Sequence, residues 1–172
     1  MLDLQLWMNE SPMGGCSLPP SKHLRFIIDG EKSVLKPTDA FWTSTAIKSQ
    51  DGYTSDWVQW VSQEMPKWLS KTGYLFKVKP TARILRIETD ADAETIYHKF
   101  LGKEIPSHYD AFDRKWHIIK YFPWKLISAQ YDGIHYYPTE AMPIIMRNWD
   151  CESTVWFDMN VLQQVGEVKI VL

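Results

Sequence analysis

Two acidic residues stand directly before a hydrophobic run near the end of the chain. Asp150 and Glu152 are two positions apart and precede residues 154–157, which have strand character. Because side chains alternate along a strand, both carboxylates are expected on one face, roughly 7 Å apart at about 3.3 Å of rise per residue. Two acids that close repel each other unless solvent, a cation or a developing positive charge lies between them. An oxocarbenium ion, formed when a glycosidic bond breaks, supplies such a charge. The structural alternative is a solvated acidic strand end.

Two earlier segments add to this pattern. In the predicted strand 40–46, Ser44 shares one face with Trp42. In the predicted strand 23–28, Arg25 lies among apolar residues, where it must pair with an acid or bind an anion, because an unpaired charge in a half-buried strand is costly. A satisfied strand hydroxyl and an edge-strand charge in water are the structural alternatives for these two polar residues.

In order and spacing, the three segments resemble the Arg–Ser–Glu class of ADP-ribosyltransferases. The matching residues are Arg25 on an early strand, the triplet Thr43-Ser44-Thr45 after Trp42, and Glu152 ahead of a hydrophobic strand. The likeness spans residues 22–172. It implies a split β-sandwich that binds NAD in the cleft between two small sheets.

The resemblance also implies roles for the matching residues. Arg25 would hold the NAD phosphates or the adjacent ribose. Ser44 would orient the nicotinamide ribose and support Glu152, and Glu152 would stabilise the oxocarbenium ion as nicotinamide leaves. Thr43 would bind NAD beside the serine.

Three further positions extend or qualify these roles. Asp150 stands where the family usually has Glu or Gln and would act in acceptor recognition. Trp42 or Tyr53 could stack on a flat ring of NAD, although ordinary packing explains either residue equally well. His23, two positions before Arg25, is an alternative to the arginine, since a sister class of the family uses His with Tyr.

Composition limits the possible class of protein. The 172 residues suit one domain, 1–172, with a loop-like lead-in at 1–21. A net charge of −2 does not supply the basic field that drives non-specific nucleic-acid binding. The sequence contains neither a long apolar run nor a signal-peptide pattern, so a cytoplasmic protein without a membrane span is expected.

Other chemistries find little support in the sequence. The five histidines show no paired spacing typical of metal ligands, so no metal site is expected. Cys16 and Cys151 are expected to be free thiols, with one disulfide between them as the alternative. A Cys151 nucleophile with His117 or His135 as its base has no local support, since a lone strand cysteine is usually a small buried hydrophobic residue.

The order of elements predicts an α+β fold with flanking helices and a largely antiparallel or mixed sheet. Strands are predicted at 23–28, 40–46, 74–78, 82–88, 131–137, 153–157 and 165–172, and helices at 54–65, 90–102 and 123–130. Thr54 or Ser55 is expected to cap the first helix, and Gly102, the last residue of the second stretch, to be its C′ residue.

The resemblance implies an enzyme that cleaves NAD as its substrate. It would transfer ADP-ribose to a macromolecular acceptor, either protein or nucleic acid. A bacterial or phage toxin or effector with a neutralising partner is the corresponding biological expectation, by analogy with the family. An NAD glycohydrolase of the same fold and a non-catalytic nucleotide- or peptide-binding module are the alternatives.

Overall fold

The computed structural model describes residues 3–8, 37, 40–100, 103–110, 115–121, 123–138 and 149–172, and only the backbone of 103–110 and 115–121. In chain order its strands are β1 Leu4–Met8, β2 Phe41–Thr45, β3 Ile47–Lys48, β4 Tyr53–Thr54, β5 Thr72–Val78, β6 Ile84–Ile87, β7 Lys103–Asp110, β8 Lys115–Tyr121, β9 Gly133–Tyr136, β10 Ser153–Trp156 and β11 Leu162–Lys169. Three helices occur in the described ranges, namely α1 Asp56–Glu64, α2 Asp90–Lys99 and α3 Trp124–Gln130.

Seven strands form one sheet in the order β11-β5-β1-β2-β10-β9-β6. Neighbours in this sheet are antiparallel except for β6 and β9, which are parallel. Two further antiparallel pairs, β3 with β4 and β7 with β8, stand outside it. The predicted mixed, mostly antiparallel α+β fold is therefore confirmed.

The central strand β2 joins two halves of the sheet through different residues. Ser44 and Thr45 pair with β1, whereas residues 41–43 pair with β10. The ladder between β2 and β10 thus stops at Thr43, and the two strands are not paired beyond it. Seven of the described strands form this one order, and the split into two small sheets that the resemblance implies stays a prediction.

The helices pack on one face of this sheet. That face carries Leu85, Ile134, Val155 and Trp42, which follow one another in register across four strands. Side chains of α2 and α3 complete one hydrophobic cluster with them, and side chains of α1 complete a second cluster around Leu6. The opposite face carries a third cluster around Phe76 and Trp156, beside a row of polar side chains.

Local sequence explains the helix ends. The Ser55 hydroxyl accepts a hydrogen bond from the Val58 amide at 3.3 Å, so Ser55 is the N-cap of α1, one of the two predicted candidates. Pro66 opens a short 3-10 turn, Pro66–Trp68, after α1. Thr89 caps α2 in a capping box, and α2 ends at Lys99, within the predicted stretch 90–102.

Within the ranges that the structure describes, no helix combines the length and apolar character needed to span a membrane.

The structure corrects the prediction of a loop-like lead-in at 1–21. Residues 4–8 form β1, between β2 and β5, and bury Leu6 and Met8, each 2% exposed. Alternation of apolar residues along these five positions is the strand signal that the neighbouring Pro- and Gly-rich stretch obscures. The predicted strand 23–28, with His23 and Arg25, lies outside the described residues, as does Gly102.

Candidate functional site

The end of the ladder between β2 and β10 creates an open backbone donor. Thr45 lies beyond the last paired position on β2, so its N–H finds no carbonyl partner on β10. The carboxylate of Glu152, the residue just before β10, satisfies it instead, because Oε2 accepts from the Thr45 N–H at 2.8 Å. A side chain thus replaces a strand carbonyl where the sheet separates.

Glu152 is almost fully buried, with 2% of its surface exposed, and its carboxylate accepts hydrogen bonds on both oxygens. The Ser44 hydroxyl donates a short hydrogen bond to Oε2. The Thr45 hydroxyl donates to Oε1 at 2.8 Å. Burial raises the pKa of this carboxyl, and the Ser44 and Thr45 donors partly offset the rise. The carboxylate is therefore shielded from water, while hydrogen-bond donors of Ser44 and Thr45 point at it.

Ser44 connects this carboxylate to the start of α1. Its hydroxyl oxygen lies 3.0 Å from the Glu152 carbonyl oxygen and 3.5 Å from the Trp57 amide nitrogen in the first turn of the helix. The positive end of a helix dipole favours negative charge nearby, whereas the Asp56 carboxylate there raises the pKa of Glu152. The sequence-based pairing of Ser44 with Glu152 corresponds to a direct contact in the structure.

His135, on β9, is a site residue that the sequence analysis did not select. Its Nδ1 hydrogen-bonds with the Thr154 hydroxyl at 2.9 Å and lies 3.2 Å from Oε1 of Glu152. Burial, with a smaller effect of Arg86, lowers the pKa of His135 to about 4. The imidazole is therefore neutral at pH 7, and a proton on Nδ1 suits an ionised Glu152 because two lone pairs would otherwise face each other.

The two acids of the 150–152 pair occupy different environments. Asp150 is exposed, whereas Glu152 is buried. Both faces of β10 are covered, because Val155 packs in the cluster with α2 and α3 and Trp156 packs in the cluster around Phe76 on the opposite face. Trp156 is fully buried and donates from Nε1 to the Thr43 hydroxyl at 2.7 Å. Alternation gave the correct grouping of side chains but not their exposure.

Cys151, between the two acids, is a buried free thiol. Burial raises its pKa to about 12, so the thiolate form that nucleophilic attack requires is scarce at neutral pH. Its Sγ lies 3.8 Å from the Ser153 hydroxyl. The thiol acts as a small buried side chain in this strand.

The predicted NAD-binding residues have structural partners. Trp42 is half-buried, donates from Nε1 to the Pro37 carbonyl at 3.1 Å and meets Trp149 edge to face at 4.7 Å. Tyr53 lies in β4, half-buried against the cluster under α1. Thr43 is buried and hydrogen-bonded within the sheet. Their roles in binding NAD stay predictions.

Positive charge near the site comes from β6 in the described part of the chain. Arg86 is in register with His135 and lies 3.6 Å from Glu88, with half of its side chain exposed. Arg83, at the start of that segment, donates to both carboxylate oxygens of Asp132. Of these two arginines, Arg86 is therefore better placed to meet an anion near Glu152.

Strand pairing also brings Gln5 to the site, next to Thr45 of the Thr43-Ser44-Thr45 triplet. Gln5 and Thr45 are register partners between β1 and β2, and the Gln5 amide nitrogen donates to the Thr45 hydroxyl at 3.2 Å.

In the described ranges, no three His, Cys, Asp or Glu side chains converge in a way that could hold a metal ion.

The site offers a buried carboxylate, fixed by strand and hydroxyl donors, beside a neutral histidine. Such a carboxylate can stabilise a positive charge that develops next to it, and it needs no reorganisation to do so. Comparisons with protein-family models, with curated proteins and with solved structures find no match to this chain. The chemistry of the site is therefore the basis for assigning a function.

Proposed function

We propose that this protein is an ADP-ribosyltransferase that cleaves NAD and transfers ADP-ribose to a macromolecular acceptor, protein or nucleic acid. The finer fold assignment, an ADP-ribosyltransferase-like arrangement, is part of the same proposal. Its basis is the resemblance of the Arg25, Ser44 and Glu152 segments to the Arg–Ser–Glu class. The contact between Ser44 and Glu152 supports it.

The observation that carries the proposal is the state of Glu152. Its carboxylate is 2% exposed and accepts from Ser44 and from both the amide and hydroxyl of Thr45. When the bond between nicotinamide and ribose breaks, its electron pair leaves with nicotinamide, and the ribose becomes an oxocarbenium ion. A fixed anion beside that carbon stabilises the ion more than it stabilises uncleaved NAD, which is the requirement for catalysis.

The remaining roles follow the same division. Ser44 orients the nicotinamide ribose and the carboxylate together. Arg25 holds the NAD phosphates, and Trp42, Thr43 and Tyr53 contribute to NAD binding. Asp150, exposed at the entrance to β10, acts on the acceptor, whose attacking atom bonds to the ribose carbon and loses a proton.

The proposed biological setting is a cytoplasmic toxin or effector that a partner protein can neutralise. An NAD glycohydrolase would use the same residues with water as the acceptor. A binding module would retain the site but leave NAD intact. These three functions differ in the products that they form, so one substrate separates them.

Release of nicotinamide from NAD tests the first chemical step. Wild-type protein is compared with Glu152→Gln and with Glu167→Gln, the same substitution on the exposed edge strand β11. The proposal predicts release by wild type and by the β11 control, with a loss on the order of 10²–10³ in rate for Glu152→Gln. Equal rates in all three folded proteins would refute the assignment of Glu152.

A further inference from the structure

A chain of four polar side chains crosses the sheet on the face opposite the helices. It runs from Trp156 through Thr43 and Gln5 to Thr45, which contacts Glu152. Gln5 is 0% exposed, yet it lies on a central strand where an apolar residue would avoid the cost of burying an amide. This cost makes a function for the amide worth seeking.

The first end of the chain has a fixed direction. An indole N–H can only donate, so the Thr43 hydroxyl must accept from Nε1 of Trp156 at 2.7 Å. The single hydroxyl proton of Thr43 then goes to Oε1 of Gln5 at 2.7 Å, because its other acceptor, the Thr154 carbonyl, is 3.5 Å away.

The orientation of the Gln5 amide is fixed independently at its other end. Its Nε2 lies 3.3 Å from the Leu4 carbonyl oxygen and 3.2 Å from the Thr45 hydroxyl. A carbonyl can only accept, so the flipped amide would place two oxygens next to each other at Leu4. Both ends of the chain therefore require the nitrogen of Gln5 to face Thr45.

Thr45 then has one direction in which to donate. Its oxygen accepts from Gln5, and its proton points to Oε1 of Glu152 at 2.8 Å. All the donors of the chain consequently point toward the carboxylate. A hydrogen bond to a charged group is worth more than a neutral one, so this orientation favours the ionised form.

We propose that Gln5 is a positioning residue for Glu152, because its amide directs the hydroxyl proton of Thr45 at the carboxylate. Gln5 acts through Thr45 and does not itself touch the reacting atoms. Its effect on turnover rests on the proposed function, whereas its effect on the charge of Glu152 does not.

Other ionisable groups near Glu152 stay the same when Gln5 is changed. They are Asp56 at the start of α1, His135 on β9 with Arg86 behind it on β6, and Asp150 and Cys151 in the segment of Glu152 itself. A change at Gln5 that adds no charge, such as Gln5→Met, therefore reports on the donor chain alone, whereas Gln5→Glu also adds a carboxyl group and needs controls for it.

The test measures the titration midpoint of the Glu152 carboxyl by carbon-13 NMR on the full chain without NAD. The Glu152 signal is assigned by its absence in Glu152→Gln. Gln5→Glu has nearly the same shape as Gln5 but replaces the donating nitrogen with an accepting oxygen, which attracts the Thr45 proton away from Glu152. The expected result is a rise in the midpoint by about one pH unit or more, tenfold in the acid dissociation constant.

Two comparisons separate this effect from plain repulsion between acids. Gln164→Glu introduces the same change on the exposed edge strand β11. Gln164 is in register with Gln5, because both residues pair with Phe76. It should leave the Glu152 midpoint unchanged. In a Thr45→Val background, Gln5→Glu should raise the midpoint by less than half as much as in wild type, since the last link is missing.

An unchanged midpoint in folded Gln5→Glu would overturn the proposal, as would an equal rise with and without the Thr45 hydroxyl. If Gln5→Glu does not fold, Gln5→Met replaces it, because methionine fills the same space but cannot donate. The expected rise is then about half a pH unit. No rise in that folded variant would equally refute the role of Gln5. A confirmed midpoint shift in a protein that leaves NAD intact would preserve this inference and refute the proposed function.

Discussion

Replacing Glu152 with glutamine separates the charge of this side chain from its shape. The structure predicts which way the new amide must face. The Thr45 N–H is part of the backbone and can only donate, and it lies 2.8 Å from Oε2. The amide oxygen of the introduced glutamine must take that position, so its amide nitrogen replaces Oε1, which faces the Thr45 hydroxyl and His135.

The substitution of Glu152 by glutamine has two opposite effects on stability. The nitrogen now meets the Thr45 proton, and a buried donor without an acceptor costs about 1–3 kcal/mol. Conversely, the raised pKa of Glu152 means that folding disfavours the ionised carboxyl, and the amide removes that cost at about 1.4 kcal/mol per pH unit. Because the two effects oppose each other, the free energy of unfolding at pH 7 should fall by less than the roughly 3 kcal/mol upper cost of the buried donor alone.

The raised pKa also fixes the sign of the pH dependence. Because the folded state binds the Glu152 proton more tightly than the unfolded state, the protonated carboxyl contributes to stability. This contribution is fully present below the unfolded-state pKa of Glu152 and is lost as pH rises through the folded-state pKa. The stability of Glu152→Gln relative to wild type should therefore increase with pH across that interval. Catalysis should fall far more than stability, by on the order of 10²–10³ in rate.

His135 should report the substitution directly. With an ionised Glu152, Nδ1 of the neutral ring carries the proton, whereas an amide nitrogen at the position of Oε1 requires Nδ1 to accept. Nitrogen-15 NMR of labelled histidine distinguishes these tautomers, and His135→Asn assigns the signal. A folded Glu152→Gln protein whose His135 keeps its proton on Nδ1, or which cleaves NAD at the wild-type rate, would refute this account.

Three further substitutions divide the remaining roles. Ser44→Ala should lower turnover about tenfold or more, with little change in NAD affinity, because it removes a donor to the charged carboxylate; a change in affinity alone would contradict that role. Arg25→Ala should mainly weaken NAD binding as measured by calorimetry, since charge-assisted bonds to phosphate are strong; unchanged affinity would transfer the role to His23 or Arg86. Asp150→Ala should reduce transfer strongly while hydrolysis of NAD survives in part, and equal loss of both activities would place Asp150 in the NAD-cleaving step instead.

The parts of the site that the sequence predicted are those set by local pattern. Ser44 and Glu152 each lie at the end of a recognisable strand segment, and the triplet and acid motifs relate the two segments. No local sequence pattern identifies Gln5 or His135 as site residues. They join the site because β1 pairs with β2 and β9 pairs with β10, and pairing between distant segments is a tertiary property that a single sequence does not display.

The fold shows the same limit. Alternation predicted which side chains of β10 share a face, but whether a face is exposed depends on what packs against it. Trp156 is fully buried because it packs in the cluster around Phe76. β1 was missed because only five residues carry its pattern, next to a Pro- and Gly-rich stretch. Short strands acquire their stability from neighbours, not from their own sequence.

Transfer of label from NAD to a macromolecule tests the central claim most directly. Wild-type protein, Glu152→Gln and Glu167→Gln are each incubated with NAD labelled in its adenosine portion and with cellular protein and nucleic acid. The account predicts label on one of these macromolecules for wild type and Glu167→Gln, and a loss on the order of 10²–10³ in rate for Glu152→Gln. Free labelled ADP-ribose alone would indicate a glycohydrolase, and intact NAD after incubation with the folded wild-type protein would contradict the account.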